Sequence, residues 1–484
     1  MEKKLDGAEP VGTKEKWKRH SIFRVPHQFK AVHGKVFAPQ TVALGPFHHH
    51  DAALRPMEEH KLRAVRRLLR RAGDRPLREL AAAVGDMAEE LEDAYAGLGA
   101  EWRGGNRGRF LEMMVADGCF LLEVMRRKFK DYDPEDPVFG EHAGKHIAAF
   151  VQRDMLMIEN QLPLALLRRI VAVESGKLPD ERSINNLVAE FLCEDGWCAT
   201  EVGSRLGLHP LDVYRRSLLR PWPLPSRQEG QRTYCCFPTI GGAARACQQH
   251  CSSCCLPTRS ETGAAPPSPR SRGAPTAASA SRPPPLPPRS AQRLWEAGIR
   301  FRRSETRLLD DIRFDRCTRR LRMPKIILDD STEYKFSNLM AFEALHAGAG
   351  SGGVTAFVLF LRDMVDSAGD VAALREGGVL DHDLAGSDWA VVRLVNRLSR
   401  DVAKFSDSYL CCVRREVEDY CNGDKWRVFV FNSWAKLKGT YLSSPWAFIA
   451  LVVTIWLVGT DMTQTLYAVE TYEREYGGNA TKSP

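Results

Sequence analysis

Apolar side chains return every third or fourth residue through much of residues 56 to 220, which read as helices, and residues 293 to 442 return to folded composition. The run "RPMEEHKLRAVRRLLRR" carries the clearest signals. Pro56 suits a first helical position. Glu58 and Glu59 fall in the first turn and arginines in the last, as the helix dipole favours. Leu62, Val65, Leu68 and Leu69 form one apolar stripe, and Glu59 is placed to pair with Arg63 at i,i+4. Arg66, Arg67, Arg70 and Arg71 flank that stripe and read as a solvated face.

The stretch "DMLMIENQLP", residues 154 to 163, breaks the pattern by setting Glu159, Asn160 and Gln161 among apolar neighbours. On a helix, Met155, Ile158, Leu162, Leu166 and Ile170 would share a face. Pro163 removes a donor and clashes with the carbonyl of Glu159, so a kink or a new helix start is expected there. The carboxylate and two amides could satisfy the backbone groups freed at the break. No partner acid, base or metal ligand stands beside them in the local sequence, so the expected role is structural.

Between the periodic stretches the pattern fails. Residues 21 to 52 are loop-like and rich in Pro, Gly and His. Residues 221 to 292 are of low complexity, and their core "GAAPPSPRSRGAPTAASASRPPPLPPRS" cannot bury enough apolar surface to offset chain entropy. They are either a disordered linker or a translated intron. The predicted fold is therefore mainly α. A helical globular body lies in two halves, 21–220 and 293–442, split by the linker over 221–292. Residues 1–20 form a disordered N-terminus. The uncharged run "GTYLSSPWAFIALVVTIWLVGT" predicts one transmembrane helix over 444–467, followed by a short tail, 468–484. Ser444 and Pro445 make its N-cap and first residue, and Tyr441, Trp446 and Tyr467 its interfacial aromatics.

Composition narrows the function classes. The 484-residue chain carries a formal net charge of +8, spread along its length, so nucleic acid is not an expected partner. The N-terminus has no apolar core and is no secretory signal. Thirteen cysteines, an odd number without secretory context, point to reduced thiols. Basic residues Lys425, Arg427, Lys436 and Lys438 precede the apolar run, which predicts a single-pass protein, at the plasma membrane, with a cytosolic body. Asn479 then opens a glycosylation triplet on the outer side.

Several blocks resemble a plant-specific family, domain of unknown function 247, the uncharacterised plant membrane proteins. They are "IFRVP" at 22–26, "FAPQTVALGPFHHH" at 37–50, "MEEHKLRAV" at 57–65, "DMLMIENQLPLALL" at 154–167, "AGIRFRR" at 297–303, "MPKIILDDST" at 323–332, "NLMAFEAL" at 338–345, "DVAALREGGVL" at 370–380 and "YLSSPWAFIALV" at 441–452. The signature residues so marked are Pro26, Gly45, Pro46, His48, His49, Glu159, Asn160, Gln161, Pro163, Asn338, Glu343, Pro445 and Trp446. The resemblance implies a mostly helical protein with one C-terminal membrane segment and no established enzymatic activity. Some grass members are implicated as pollen-side determinants of self-incompatibility, which suggests recognition or signalling. This chain departs from the pattern at His50, where glycine is usual, and in its long linker.

The expected function is therefore a membrane-anchored, non-catalytic recognition or signalling protein, with the lipid bilayer and an unidentified protein as partners and no cofactor. The alternative is an enzyme or metal-binding protein using Glu159 and the histidine loop 48–50. Cys247, Cys251, Cys254 and Cys255 are weak zinc candidates, since only the C-x2-C pair has metal-site spacing. "GAGSGG" at 348–353 lacks the Lys-Ser/Thr of a phosphate loop and reads as an interhelical loop. Deleting 225–288 is expected to change stability by no more than about 1 kcal/mol, because closure entropy grows slowly with loop length. Thermal unfolding of the deleted protein checks this.

Overall fold

A computed structural model describes residues 18–127, 132–193, 202–220, 290–346, 352–400, 402, 409–423 and 445–476. The first half is helical. A short α1 (His27–His33) leads through a loop to α2 (Pro56–Arg71), α3 (Leu77–Gly85), α4 (Ala88–Asp93), α5 (Arg107–Arg126), α6 (Glu141–Asp154), α7 (Leu164–Ser175), α8 (Glu181–Leu192) and α9 (Pro210–Leu218). The centre of this half is α5, in which every side chain from Met113 to Met125 is buried. A helix apolar all round must be covered all round, and α2, α3, α6, α7 and α8 pack against it. Gly118 lets α7 approach closely, since a Cβ there would stand 2.4 Å from Ile170 Cδ1.

The predicted stripe of α2 is rotated by one position. Met57, Lys61, Ala64, Val65 and Leu68 are buried, whereas Leu62 is 61% exposed. The cause is Lys61, whose ammonium is drawn inward to Asp117 of α5. Arg63 does not pair with Glu59; it reaches Asp136 and His60.

The second half adds strands that the periodicity did not predict. After α10 (Ala291–Glu296), strands β1 (Arg300–Arg303), β2 (Arg313–Asp315) and β3 (Arg320–Met323) form a sheet in the order β1-β3-β2. β3 runs parallel to β1 and antiparallel to β2. β4 (Ile326–Leu328) and β5 (Leu380–His382) form a parallel pair. Helices α11 (Thr332–Leu345), α12 (Gly353–Met364), α13 (Ala368–Glu376), α14 (Asp388–Leu398) and α15 (Tyr409–Gly423) complete this half. The alternation of arginine with Phe301, Leu321 and Met323 is a period-two signal, but it runs for only four residues in each strand. The body is mainly helical and lies in two halves, as expected.

Each half has its own hydrophobic core, and the chain crosses between them. Val25, Phe37, Leu156, Ile158, Leu211 and Leu218, all from the first half, belong to the second core. Met155 and Leu162 stay in the first. Residues 155–163 thus send neighbouring side chains into two cores. Of the two outcomes expected at Pro163 the new helix start is found, with Pro163 as N-cap of α7; before it α6 ends at Asp154, and the segment between is a buried, turn-rich connector and not helix.

The expected transmembrane helix over 444–467 is overturned. A helix does begin at Pro445, and α16 runs Pro445–Tyr476. Among the described residues, however, no helix is long and apolar enough to cross a membrane. The apolar run Trp446–Gly459 is 14 residues, which at about 1.5 Å per residue falls short of a hydrocarbon core about 30 Å thick. Beyond it come Thr460, Asp461, Thr463, Gln464 and Thr465. The single-pass localisation falls with the span. The linker 221–289, its candidate zinc ligands Cys247, Cys251, Cys254 and Cys255, Ser444 and Asn479 lie outside the described residues. Cys193 is disulfide-bonded, so the expectation of reduced thiols fails there. It holds for Cys119 and Cys317, which are free thiols.

The rotated stripe and the connector can be tested together. Leu162→Ala removes a fully buried side chain and is expected to cost about 2–5 kcal/mol. Leu62→Ala on the exposed face of α2 is expected to stay within about 0.5 kcal/mol. Denaturant unfolding of both variants measures the difference.

Candidate functional site

The connector between α6 and α7 carries backbone through the interior, where every N–H and C=O needs a partner. Its own side chains, and those of Asp154 just before it, supply partners both to it and to the loops laid over it. The Asp154 carboxylate accepts from the amides of Gln40, Thr41 and Val42 at 2.9, 2.7 and 2.9 Å. Asn160 Oδ1 accepts from the Leu44 amide at 2.7 Å, and its Nδ2 donates to the carbonyls of Val42 and Asp154. Gln161 Nε2 donates to the carbonyls of Met155 and Met157, and its Oε1 accepts from the Leu211 amide at 3.0 Å, holding α9 in place. From the other half, Asn338 Oδ1 accepts from the Ile158 amide at 2.9 Å, while its Nδ2 donates to Val36 and Tyr334 carbonyls.

Glu159 closes the N-terminal loop. Its Oε1 accepts from the Val25 amide at 2.6 Å and its Oε2 from Lys30 Nζ at 2.8 Å. His48 Nε2 stands 3.4 Å from the same oxygen. Burial pushes this carboxyl up, but the His48 ring, the Lys30 ammonium and the Val25 amide together outweigh burial and hold it below its ordinary value. Pro26, the N-cap of α1, directly follows the residue that Glu159 holds.

Gly45 and Pro46 lie buried where this loop turns over α5. Gly45 has φ +78°, and a Cβ there would stand 2.7 Å from the Tyr95 hydroxyl and 3.0 Å from the Gln161 carbonyl, so only glycine fits. Its amide donates to Asp117 Oδ2 at 2.7 Å. Lys61 Nζ lies 2.6 Å from Asp117 Oδ1 and donates to the Ala43 carbonyl at 2.7 Å and to Glu58 at 2.5 Å. Burial pushes Asp117 up to about 6, against the pull of Lys61.

The histidine loop does not converge. Only His48 approaches Glu159. His50 stacks on Trp102 at 5.4 Å and His49 meets the same ring edge-on at 5.2 Å. Among the described residues no group of three or more His, Cys, Asp or Glu is arranged to hold a metal ion. Glu343 serves a second junction, accepting from Arg215 Nε, the amides of Val354 and Thr355 and the Thr355 hydroxyl, so it ties α9 and α11 to the start of α12. Pro445 opens α16 outside this region, and the Trp446 side chain lies outside the described residues.

Sequence reasoning missed Asp154, Asp117, Lys61 and His209. A charged residue at a buried position is the one signal that could have found the first three. Nothing local marks His209. It is fully buried, its Nδ1 accepts from the Asp212 amide at 3.3 Å and its Nε2 therefore donates to the Ser21 carbonyl at 3.0 Å. Its ring meets Phe342 of α11 edge-on at 4.8 Å.

These features define a class: a mainly helical protein with two cores joined through one buried, side-chain-satisfied connector. Residues 22–459 match the model of the DUF247 family, described as a plant protein of unknown function. The chain belongs to that family. It is also similar to two Arabidopsis thaliana proteins. One is the UPF0481 protein At3g47200, 26% identical over 96% of this chain and 89% of the relative. The other is the putative UPF0481 protein At3g02645, 24% identical over 93% and 90%. No solved structure matches the chain.

The buried His209 yields a pH dependence. Burial lowers its pKa to about 4 from the ordinary 6.5. The unfolded chain therefore binds the proton more readily, and this share of stability is present above pH 6.5 and lost as pH falls from 6.5 to 4. The shift corresponds to about 3 kcal/mol. His209→Gln, which keeps a donor and an acceptor, is expected to flatten the stability profile in that window. Urea midpoints at intervals between pH 7 and pH 4 measure it.

Proposed function

We propose that the protein is a non-catalytic recognition protein, in which the junction fixes the two halves relative to one another for a protein partner. The observation that supports this reading is the engagement of Glu159. Both its oxygens already accept hydrogen bonds, from Val25 and Lys30, in a site that leaves the residue 2% exposed. A general acid or base must reach a substrate proton, and this carboxylate is committed to the fold. The polar cluster as a whole acts the same way: Asp154, Asn160 and Gln161 all bond to backbone groups. The other class of function, chemistry at Glu159 with the histidine loop, has only His48 in reach.

Glu159→Gln decides between them. The variant keeps an acceptor for Val25 and loses the charge that meets Lys30. It is expected to fold, to lose stability modestly, by about 1–2 kcal/mol, and to restore function to plants lacking the gene in proportion to the amount of folded protein. A Glu159→Gln protein that accumulates normally and restores nothing would sink the non-catalytic reading. Complementation scored against protein abundance is the measurement.

A further inference from the structure

Five exposed arginines gather on one small sheet. In β1, Arg300 and Arg302 point away from the core while Phe301 is buried. In β3, Arg320 and Arg322 do the same, with Leu321 and Met323 buried. The registers set Arg300 opposite Arg320, Arg302 opposite Arg322, and Arg313 of β2 opposite Arg322 on its other side. All five arginines are exposed. Like charges directly opposed across strands destabilise a sheet, yet three such pairs stand side by side here.

Few acids answer them. Arg313 pairs with Asp311 at 3.1 Å, but Asp311 is also bound by Arg220. Arg322 reaches Glu305 only at 3.9 Å, and that carboxylate is 91% exposed. Asp315, opposite Arg320, is turned back to the amides of Cys317 and Thr318 and the Thr318 hydroxyl. Arg302 and Arg320 form no ion pair among the described residues. Arg300 lies 4.6 Å over the Trp295 ring and donates to the Trp295 carbonyl, so its guanidinium plane is already fixed.

We propose that this arginine face binds an extended acidic segment of a partner protein. Guanidinium groups match carboxylates as planar two-pronged donors. Residues i and i+2 of a strand are about 6.6–6.8 Å apart, so Arg300 with Arg302 and Arg320 with Arg322 form two rows at that spacing. An extended peptide with Asp or Glu at every second position repeats its carboxylates at the same interval and meets a row in step. Charge complementarity selects an anion, and the surroundings select a peptide over a nucleic acid. Single strands are held by stacking on exposed aromatic faces, whereas here Trp295 lies under Arg300 and Phe314 packs on Tyr420 behind the sheet. The proposal deepens the recognition reading and rests on it for the partner being a protein.

The test uses the full chain and a fluorescein-labelled eight-residue peptide of alternating Glu and Thr, followed by fluorescence anisotropy. Binding is expected, weakening with salt, and weaker still for a peptide of the same composition with its four Glu in one block. Arg302→Glu with Arg320→Glu is expected to reduce affinity at least tenfold, and the milder Arg302→Gln with Arg320→Gln severalfold in case the charge reversal disturbs the sheet. Equal binding by these variants, or no binding by the parent chain, overturns the proposal. So does tighter binding to labelled oligouridylate or to phosphatidylserine vesicles than to the alternating peptide. Any of these results leaves the recognition reading itself to the Glu159→Gln experiment.

Discussion

A length of irregular backbone buried between two hydrophobic cores is the constraint on which the rest of this structure depends. Residues 155–163 are all buried and not helical, so they lack the repeating bonds with which a helix satisfies itself. An unpaired N–H or C=O there would cost about 1–3 kcal/mol. Gln161 answers the connector's own carbonyls from within. Tyr95 donates to the Gln161 carbonyl at 2.9 Å, and Asn338 accepts the Ile158 amide from the other half. The same side chains reach outward to loops that have no regular structure either, so one set of bonds closes two accounts of unsatisfied backbone.

This explains why the parts are interdependent. The loop over residues 40–45 lies flat because Asp154, Asn160 and Asp117 accept its amides in succession. Lys61 must then be inside to meet Asp117 and the Ala43 carbonyl, and its burial turns α2 so that Leu62 faces outward. Lys61 has its pKa raised: burial works against its charge, and Asp117 and Glu58 more than restore it. A buried cation held this way is costly to expose or to strip of one partner, so the orientation of α2, the path of the loop and the register of α5 are fixed together.

The helices were legible in the sequence because a period of 3.6 sustained over ten or more residues is hard to mistake. Strands of three or four residues give too few repeats to stand out, although Arg300-Phe301-Arg302 and Arg320-Leu321-Arg322 do alternate. The polar cluster was legible as an oddity, and its structural role followed from the lack of a chemical partner nearby. Its conformation was not legible. Met155, Ile158 and Leu162 recur at helical spacing by coincidence, since Met155 and Leu162 enter one core and Ile158 the other. Spacing along the chain cannot distinguish one apolar stripe from two cores sharing a connector. The C-terminal run misled for a related reason: apolar content was read as a span, where length before the first polar residues decides.

The arrangement also separates two roles that sequence motifs tend to merge. The polar residues Glu159, Asn160, Gln161 and Asn338 lie inside with their polar atoms engaged, where they can specify a fold. A surface that meets a partner must instead leave its charges unmatched until that partner arrives. Glu159 and Lys30 are satisfied by each other at 2.8 Å, whereas the opposed arginines of β1 and β3 repel. Buried polar groups that are fully bonded fix one arrangement of the two halves, while the pairing of β3 with β1 and β2 holds the exposed, mutually repelling arginines in register. An acidic strand laid across them would remove a repulsion that the free protein bears, set against the cost of ordering the exposed arginine side chains.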